Sequence, residues 1–283
     1  MDGHCTDVVT DLAIDWLRNK RDLDRPFMLM VQHKAPHRNW MPALRHLPLY
    51  NDVYIPEPTT LFDKWIDNAP GARVQELEID RHMDLNYDLF LDLTPDFTQL
   101  SSEKSQDRSA WRNMKRMTSG QLATCRNHFG PLDRNFHLNG KTGKELVRWK
   151  FQRYAKNYLR CVKGVDESLE RMQQELTELG LEENTIVIYS SDQGFYIGDH
   201  GWYDKRWMYE ESLKMHFIVK WPGVVKAGSR NTDLVQNLDY AQTFLEIAGA
   251  PQPKDMQGLS LVPLLKDETP KNWRKDIYYH YYE

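Results

Sequence analysis

Hydrophobic and polar positions alternate along the start of this chain in a way that predicts a helix followed by a strand. Over residues 5–20, apolar residues recur at steps of three and four, which is typical of an amphipathic helix. Its predicted buried face consists of Val9, Leu12, Ala13, Trp16 and Leu17. The continuous apolar run at residues 27–32 then predicts a buried strand, and Pro36 and Pro42 mark the loop that follows.

The second half of the chain repeats this alternation. A long helix is predicted over about residues 144–179, with a core-facing stripe of Val162, Val165, Leu169, Met172, Leu176 and Leu179. Gly180 is suited to the left-handed position that ends such a helix. Strands are predicted at residues 185–190 and 215–223, and a further helix at 238–249. Helices alternating with strands favour an α/β fold with a mostly parallel sheet flanked by helices.

Residues 51–143 interrupt this pattern, because they are polar and broken by prolines and glycines. We interpret them as an elaborated insertion on the surface of one domain, of the kind that shapes a substrate cleft. The alternative is a mobile insertion without such a role.

Net charge, apolar runs and cysteine count exclude several classes of protein. The 283 residues carry a net charge of −4, which gives no electrostatic footprint for nucleic acid. The sequence contains no run of 18 apolar residues, so no membrane span is predicted. The first residues contain neither the basic region nor the apolar region of a signal peptide. Cys5, Cys125 and Cys161 are too few and too far apart for a disulfide framework or a zinc site.

Polar side chains follow two of the predicted strands. His33 and His37 come after the first strand, and Asp192 and Gln193 come after the strand at 185–190. If the strands are parallel, these residues share the edge of the sheet where ligands bind. Asp192 and Gln193 offer oxygens that suit Ca²⁺ or Mg²⁺, although two ligands are too few for calcium. The alternative is an ordinary strand-to-loop turn.

The roles of four further residues remain open from the residues alone. Lys205 and His200 could neutralise an anionic group, and Lys205 could equally be a solvated surface lysine. His33 and His37 flank a proline turn, where each could be a proton donor, a ligand or a loop histidine.

Four stretches together resemble the sulfatases of the alkaline-phosphatase superfamily. They read PFMLMVQHKAPH, SSDQGFYIGDHGWYDKRWMYEES, LDYAQTFLEIAGAP and GLSLVPLLKDE. The likeness is greatest to bacterial and lysosomal enzymes that act on sulfated glycans, either of the heparan type or with N-acetylglucosamine-6-sulfate. It implies an alkaline-phosphatase-like fold, with residues 1–283 forming a partial catalytic domain that is incomplete at both ends.

The resemblance also implies roles for the candidate residues. Asp192 and Gln193 would bind a Ca²⁺, with Gln193 where the family more often has Asn. Lys205 would contact the sulfate, and His37 would protonate the leaving sugar oxygen. His200 would line the sugar pocket, and His33 would bind substrate or support the loop. A sulfated glycan is the implied partner, and a periplasmic, secreted or lysosomal location is implied.

One departure from the family changes the expectation for this chain. The C/S-x-P-S-R motif, from which the family forms its formylglycine nucleophile, does not occur in the sequence. We therefore expect the isolated chain to be catalytically inactive. Two alternatives stay open: a phosphoester or phosphonate hydrolase of the same superfamily, and a non-catalytic derivative that binds sulfated glycans.

Overall fold

A computed structural model of the protein describes residues 3–64, 70–92 and 114–280. The chain divides into two compact units. Residues 1–179 with 195–205 form one, which we call the helical unit, and residues 180–194 with 206–283 form the other, the strand unit. Within the described ranges, no helix combines the length and apolar character that crossing a bilayer requires.

The helices and strands of the described residues follow one another in a simple order. The helical unit contains α1 (Cys5–Asn19), α2 (Pro70–Val74), α3 (Ser119–Asn139) and α4 (Gly143–Glu178). It also contains the strands β2 (Tyr196–Ile197) and β3 (Tyr203–Asp204). The strand unit contains β1 (Val187–Ser190), α5 (Glu210–Leu213), β4 (Phe217–Lys220), α6 (Leu238–Ile247) and α7 (Val262–Leu265).

Helix α1 confirms the first predicted helix, and its buried face matches the predicted face in part, at Ala13 and Leu17. Its buried residues are Thr6, Thr10, Ala13 and Leu17, whereas Leu12 of the predicted face is exposed. The reason is a polar contact with α4, in which the Thr10 hydroxyl lies 2.7 Å from the Ser168 hydroxyl and 2.8 Å from the Thr6 carbonyl oxygen. Threonine methyl groups and these hydrogen bonds let two helices approach closely, so the contact face is not the most apolar one.

Helix α4 is the centre of the helical unit, and it confirms the predicted long helix. Gly180 follows it with φ of 66°, as expected for a helix end. From the predicted stripe, Val165 and Leu176 are buried. The larger core lies on the first half of the helix, where Tyr154 packs at 4.4 Å between ring centroids against Trp40.

The predicted strand at residues 27–32 is wrong. The structure shows no strand there, and exposure alternates along the segment, with Met28 and Met30 both about three-fifths exposed at 61% and 60%. An extended segment becomes a strand only when a neighbour pairs with its backbone, and no strand in the described part of the chain does so.

The strands predicted at 185–190 and 215–223 are present, although shorter, as β1 and β4. They pair antiparallel, with Val187 opposite Lys220 and Ser190 opposite Phe217. The pair β2 and β3 is also antiparallel, so the described strand pairs do not show the expected parallel arrangement. Helix α6, predicted from its sequence, covers this sheet through Tyr240, whose ring stacks at 5.2 Å on Phe217.

The described parts of residues 51–143 belong to the core as well as the surface. Helix α3 begins with a capping box between Thr118 and Gln121 and ends at Gly140, which has φ of 49°. The core residues contributed by this region include Leu61, Ile79, Met83, Leu89, Phe90 and Phe129, all of them buried. No apolar stripe marks α3 along the chain, and its central turn contains Pro131.

Candidate active site

His37 lies on the loop that follows residues 27–32, with its side chain exposed. Its Nδ1 is 2.7 Å from the carbonyl oxygen of Arg38. Because a carbonyl oxygen can only accept a hydrogen bond, Nδ1 must carry a proton in this arrangement. The Nε2 atom is then the nitrogen that can exchange a proton with a ligand, which is the arrangement that an acid catalyst needs.

Lys205 directly follows β3 and is almost completely buried, with 8% of its surface exposed. Its Nζ lies 3.1 Å from Oδ1 of Asp204 and 5.7 Å from the centroid of the Phe195 ring. An ammonium group held by a carboxylate and an aromatic face is a fixed positive charge rather than a mobile surface one. The structure thus excludes the alternative of a solvated surface lysine.

Asp204 is a functional candidate that the sequence analysis missed. It is buried, and its φ of 71° places it in the left-handed region, which few residues other than glycine adopt. This backbone conformation and the contact with Lys205 are both tertiary features. The only signal in the sequence is that an acidic residue immediately precedes the lysine.

His200 lies on the tight turn between β2 and β3, with φ of 60°. Its backbone N–H donates to the Thr60 hydroxyl at 2.8 Å, and its Nδ1 is 3.8 Å from Oδ2 of Asp63. The turn fits closely against α4, since a Cβ on Gly198 would lie 2.7 Å from the ring of Phe151. His200 is therefore held in a fixed place on the same hairpin as Lys205.

An aromatic cluster joins the loop of His37 to the hairpin of Lys205. The Trp40 ring contacts Tyr203 at 6.3 Å and Phe195 at 6.1 Å between centroids. Trp40 is three residues beyond His37, and the two partner rings belong to the segment that ends at Lys205. The structure therefore brings the segments of three predicted residues, including His200, to one cluster in the helical unit.

His33 lies apart from this cluster, against α4. Its Nε2 is 2.8 Å from the hydroxyl oxygen of Ser168, the same hydroxyl that Thr10 contacts. Burial lowers the pKa of the His33 imidazole below its usual value, so the ring is neutral at pH 7. This placement suits support of the loop, which was one of the two roles expected for His33.

Asp192 and Gln193 follow β1 in the strand unit, in an ordered turn. The Ser191 hydroxyl is 3.3 Å from Oδ1 of Asp192 and 2.9 Å from the carbonyl oxygen of Gln193. The amide of Asn237 donates to the Asp192 carbonyl at 2.7 Å. The Asp192 side chain is exposed. Because these residues belong to the other unit, the predicted meeting with His37 at one sheet edge stays a prediction.

The chemistry of this turn fits a calcium site in kind but not in number. A carboxylate and an amide oxygen are suitable ligands for Ca²⁺, which takes six to eight oxygens. Within the described ranges, no group of three or more His, Cys, Asp or Glu side chains is placed to hold a metal ion. Asp192 and Gln193 could therefore supply only part of a calcium shell.

Comparison with known proteins gives matches along the whole chain. Residues 198–283, which include His200 and Lys205, match the family described as N-sulphoglucosamine sulphohydrolase, C-terminal. The chain is 42% identical over 283 residues to an N-acetylglucosamine-6-O-sulfatase of Bacteroides thetaiotaomicron, covering 99% of this chain and 50% of that protein. It is 31% identical over 168 residues to human N-acetylglucosamine-6-sulfatase, covering 55% of this chain and 30% of the human protein.

Structural comparison agrees with the sequence matches. One solved structure superposes with a TM-score of 0.93 and 42% identity, covering 100% of this chain and 56% of that chain. That protein was solved in complex with its substrate D-glucosamine-2-N,6-O-disulfate. The chain thus spans about half the length of the bacterial relative and less of the human one.

Proposed function

The chain belongs to the sulfatase family, and on that premise we propose that it forms part of a hydrolase that cleaves a sulfate ester on an amino sugar. The observation that carries this proposal is the match over 99% of the chain to an N-acetylglucosamine-6-O-sulfatase. The superposed structure was solved with a sulfated glucosamine, which supports the same class of substrate. A 6-O-sulfate on glucosamine or N-acetylglucosamine is therefore the proposed target.

The side chains of the helical unit fit two steps of such a reaction. Lys205 is held as a fixed positive charge and would offset the negative charge on the sulfate oxygens. His37 has its Nδ1 proton engaged with Arg38, so Nε2 would deliver a proton to the leaving sugar oxygen. His200 would contact the sugar. The formylglycine nucleophile of the family is not encoded by a C/S-x-P-S-R motif in these 283 residues.

The remaining expectations belong to the same proposal. Asp192 and Gln193 would hold part of a calcium shell, whose positive charge would stabilise the bound sulfate. The mostly parallel sheet of the alkaline-phosphatase-like fold is proposed for the whole protein from the family, although the two described strand pairs are antiparallel. A periplasmic, secreted or lysosomal location is proposed from the family.

A chimera tests the proposed activity. This chain would replace the corresponding half of the Bacteroides thetaiotaomicron relative, and sulfate release from N-acetylglucosamine-6-sulfate would be measured. We expect an active chimera, a loss of about 100-fold or more in kcat for Lys205→Ala, and a similar loss for His37→Ala. The control is Lys226→Ala, which removes an exposed lysine in the strand unit.

Three results would count against the proposal. Preferential hydrolysis of the matching phosphate ester would indicate a phosphoester hydrolase. Binding of the sulfated sugar without turnover by a folded chimera would indicate a glycan-binding protein. Unchanged activity in Lys205→Ala would remove the lysine from the proposed mechanism. Measured turnover by the isolated 283-residue chain would contradict the expectation that it is inactive.

A further inference from the structure

Segment 77–88, in the region between α2 and α3, contacts the hairpin that carries Lys205. The backbone N–H of Tyr203 donates to the Leu77 carbonyl at 2.9 Å, and that of Ile79 donates to the Gly201 carbonyl at 2.9 Å. The Tyr203 hydroxyl donates to the carbonyl of His82 at 3.0 Å. Segment 77–88 is therefore joined to this hairpin by one antiparallel bridge, between Glu78 and Trp202, and by the Tyr203 hydroxyl.

The same segment contacts the loop of His37. Nε and Nη2 of Arg38 lie 2.6 and 2.8 Å from the two carboxylate oxygens of Asp88, which is fully buried. The Arg38 guanidinium also lies 5.0 Å from the ring centroid of Tyr87 and 5.2 Å from that of Tyr203. The Asn39 amide donates to the Tyr87 carbonyl at 3.2 Å. Two neighbours of His37 are thus fixed by one segment.

Segment 77–88 is itself tied to the central helix. The ammonium group of Lys150 on α4 donates to the carbonyl oxygens of Ile79, Asp80 and Met83 at 3.1, 2.7 and 3.1 Å. Lys150 is buried, so these hydrogen bonds are shielded from water. The segment is consequently a rigid support rather than a loose loop.

We propose that the ion pair of Arg38 and Asp88 positions His37, and that segment 77–88 thereby sets the place of the proposed acid relative to Lys205. This inference rests on the proposed function and deepens it. The connection to His37 is short: the carbonyl that accepts the Nδ1 proton belongs to Arg38, the residue that Asp88 clamps. Asp88 touches no reacting group in this scheme, and it is a positioning residue.

The chemical consequence concerns the tautomer of His37. A fixed Arg38 carbonyl keeps the proton of the neutral ring on Nδ1 and leaves Nε2 to face the substrate. When the ring is protonated, the mobile proton is then the one on Nε2. If Arg38 moves, the ring loses this acceptor. The proton of the neutral ring can then lie on either nitrogen, and the direction of Nε2 is no longer fixed.

Nitrogen NMR of the His37 ring in the full 283-residue chain tests the inference without any activity. We expect the unaltered protein to show the neutral ring with its proton on Nδ1. Asp88→Asn removes the partner charge of Arg38, and we expect a mixture of tautomers. The matched control is Asp133→Asn, which breaks the buried pair of Asp133 and Arg153 in the same unit, 2.8 Å apart. It should leave the His37 signals unchanged.

A second variant separates positioning from folding. Arg38→Met combined with Asp88→Leu replaces the ion pair by apolar side chains of similar size, an exchange that often preserves stability. Circular dichroism should show a folded chain, and the tautomer preference should again be lost. A folded double variant that keeps the Nδ1 proton would overturn the inference. Failure of both variants to fold would overturn it as well, because the pair would then serve folding alone.

The chimera supplies the kinetic measurement. Asp88→Asn should lower kcat by up to about 100-fold, the effect expected from a small misplacement of a catalytic group, with a much smaller change in KM. Asp88→Glu, which can restore the charge, should recover part of kcat. Equal losses in Asp88→Asn and in Asp133→Asn would overturn the inference. A chimera without any activity would contradict the proposed function only, since the NMR result stands independently.

Discussion

His128 on helix α3 makes the stability of the helical unit depend on pH. Its ring lies 4.7 Å from that of Phe129, edge to face, and Arg160 and Arg153 are close enough to repel a positive charge. Burial, with a smaller effect of the two arginines, lowers the pKa of His128 from 6.5 to about 4. Between pH 6.5 and about 4 the unfolded chain therefore binds a proton at this residue that the folded chain does not.

The sign and size of the effect follow from this difference. The contribution of His128 to the free energy of unfolding is fully present above pH 6.5 and is lost as the pH falls toward about 4. The interval between 6.5 and about 4 corresponds to roughly 3.4 kcal/mol at most. The ring is only half-buried, so we expect roughly half of that in total, and about 1 kcal/mol between pH 7 and pH 5.

Hydrogen exchange of the α3 amides, corrected for the intrinsic effect of pH on exchange, measures this locally. His33 also has a lowered pKa and contributes with the same sign, so the comparison must be between variants. His128→Gln should show about 1 kcal/mol less loss of protection from pH 7 to pH 5. His137→Gln, which removes an exposed histidine of the same helix, is the control. Identical pH dependence in His128→Gln and the unaltered chain would refute this reasoning.

Two further predictions test the packing. Lys150→Met should lower the free energy of unfolding by about 2–4 kcal/mol, because the loss of a charged donor to three buried carbonyls outweighs the removed cost of burying the ammonium group. Urea unfolding would measure this change, with Lys163→Met at a partly exposed lysine of the same helix as control, and a change below about 0.5 kcal/mol would contradict the prediction. Gly194→Ala would place a Cβ 2.1 Å from the Glu211 carbonyl oxygen, so it should cost about 1–3 kcal/mol and lower the melting temperature of the strand unit. Gly120→Ala, whose Cβ would have no atom within 4 Å, should have little effect. Equal melting temperatures for the two variants would show that the clash is relieved and would contradict the prediction.

The parts of the fold that sequence predicted are those that local patterns determine. Helices α4 and α6 follow from apolar periodicity and from a glycine shortly after the C-terminal end of each, so their positions could be predicted from the sequence. The polar part of the buried face of α1 could not, because it depends on a hydrogen bond between Thr10 and Ser168, which are 158 residues apart. The strand at 27–32 failed for a related reason, since an apolar run does not supply its own pairing partner.

The candidate site divides in the same way. The motif that contains His200 and Lys205 could be found from sequence, because its residues are consecutive and resemble a known family. The pair of Arg38 and Asp88 could not, because it joins residues 50 positions apart across a region without a recognisable pattern. A buried aspartate in that region looks, in sequence, like any of its exposed neighbours.

The type of contact that segment 77–88 makes determines which substitutions should affect turnover and which should not. The contacts of segment 77–88 with both the His37 loop and the Lys205 hairpin run mainly through backbone atoms, which tolerate many side chains. The pair of Arg38 and Asp88 does require particular residue types, because two parallel hydrogen bonds need a guanidinium and a carboxylate. Substitutions at other positions of the segment should therefore leave the proposed acid and the proposed anion-binding lysine in place. Substitutions at this pair should instead move His37, the proposed acid, so they should alter turnover more than the choice of sugar.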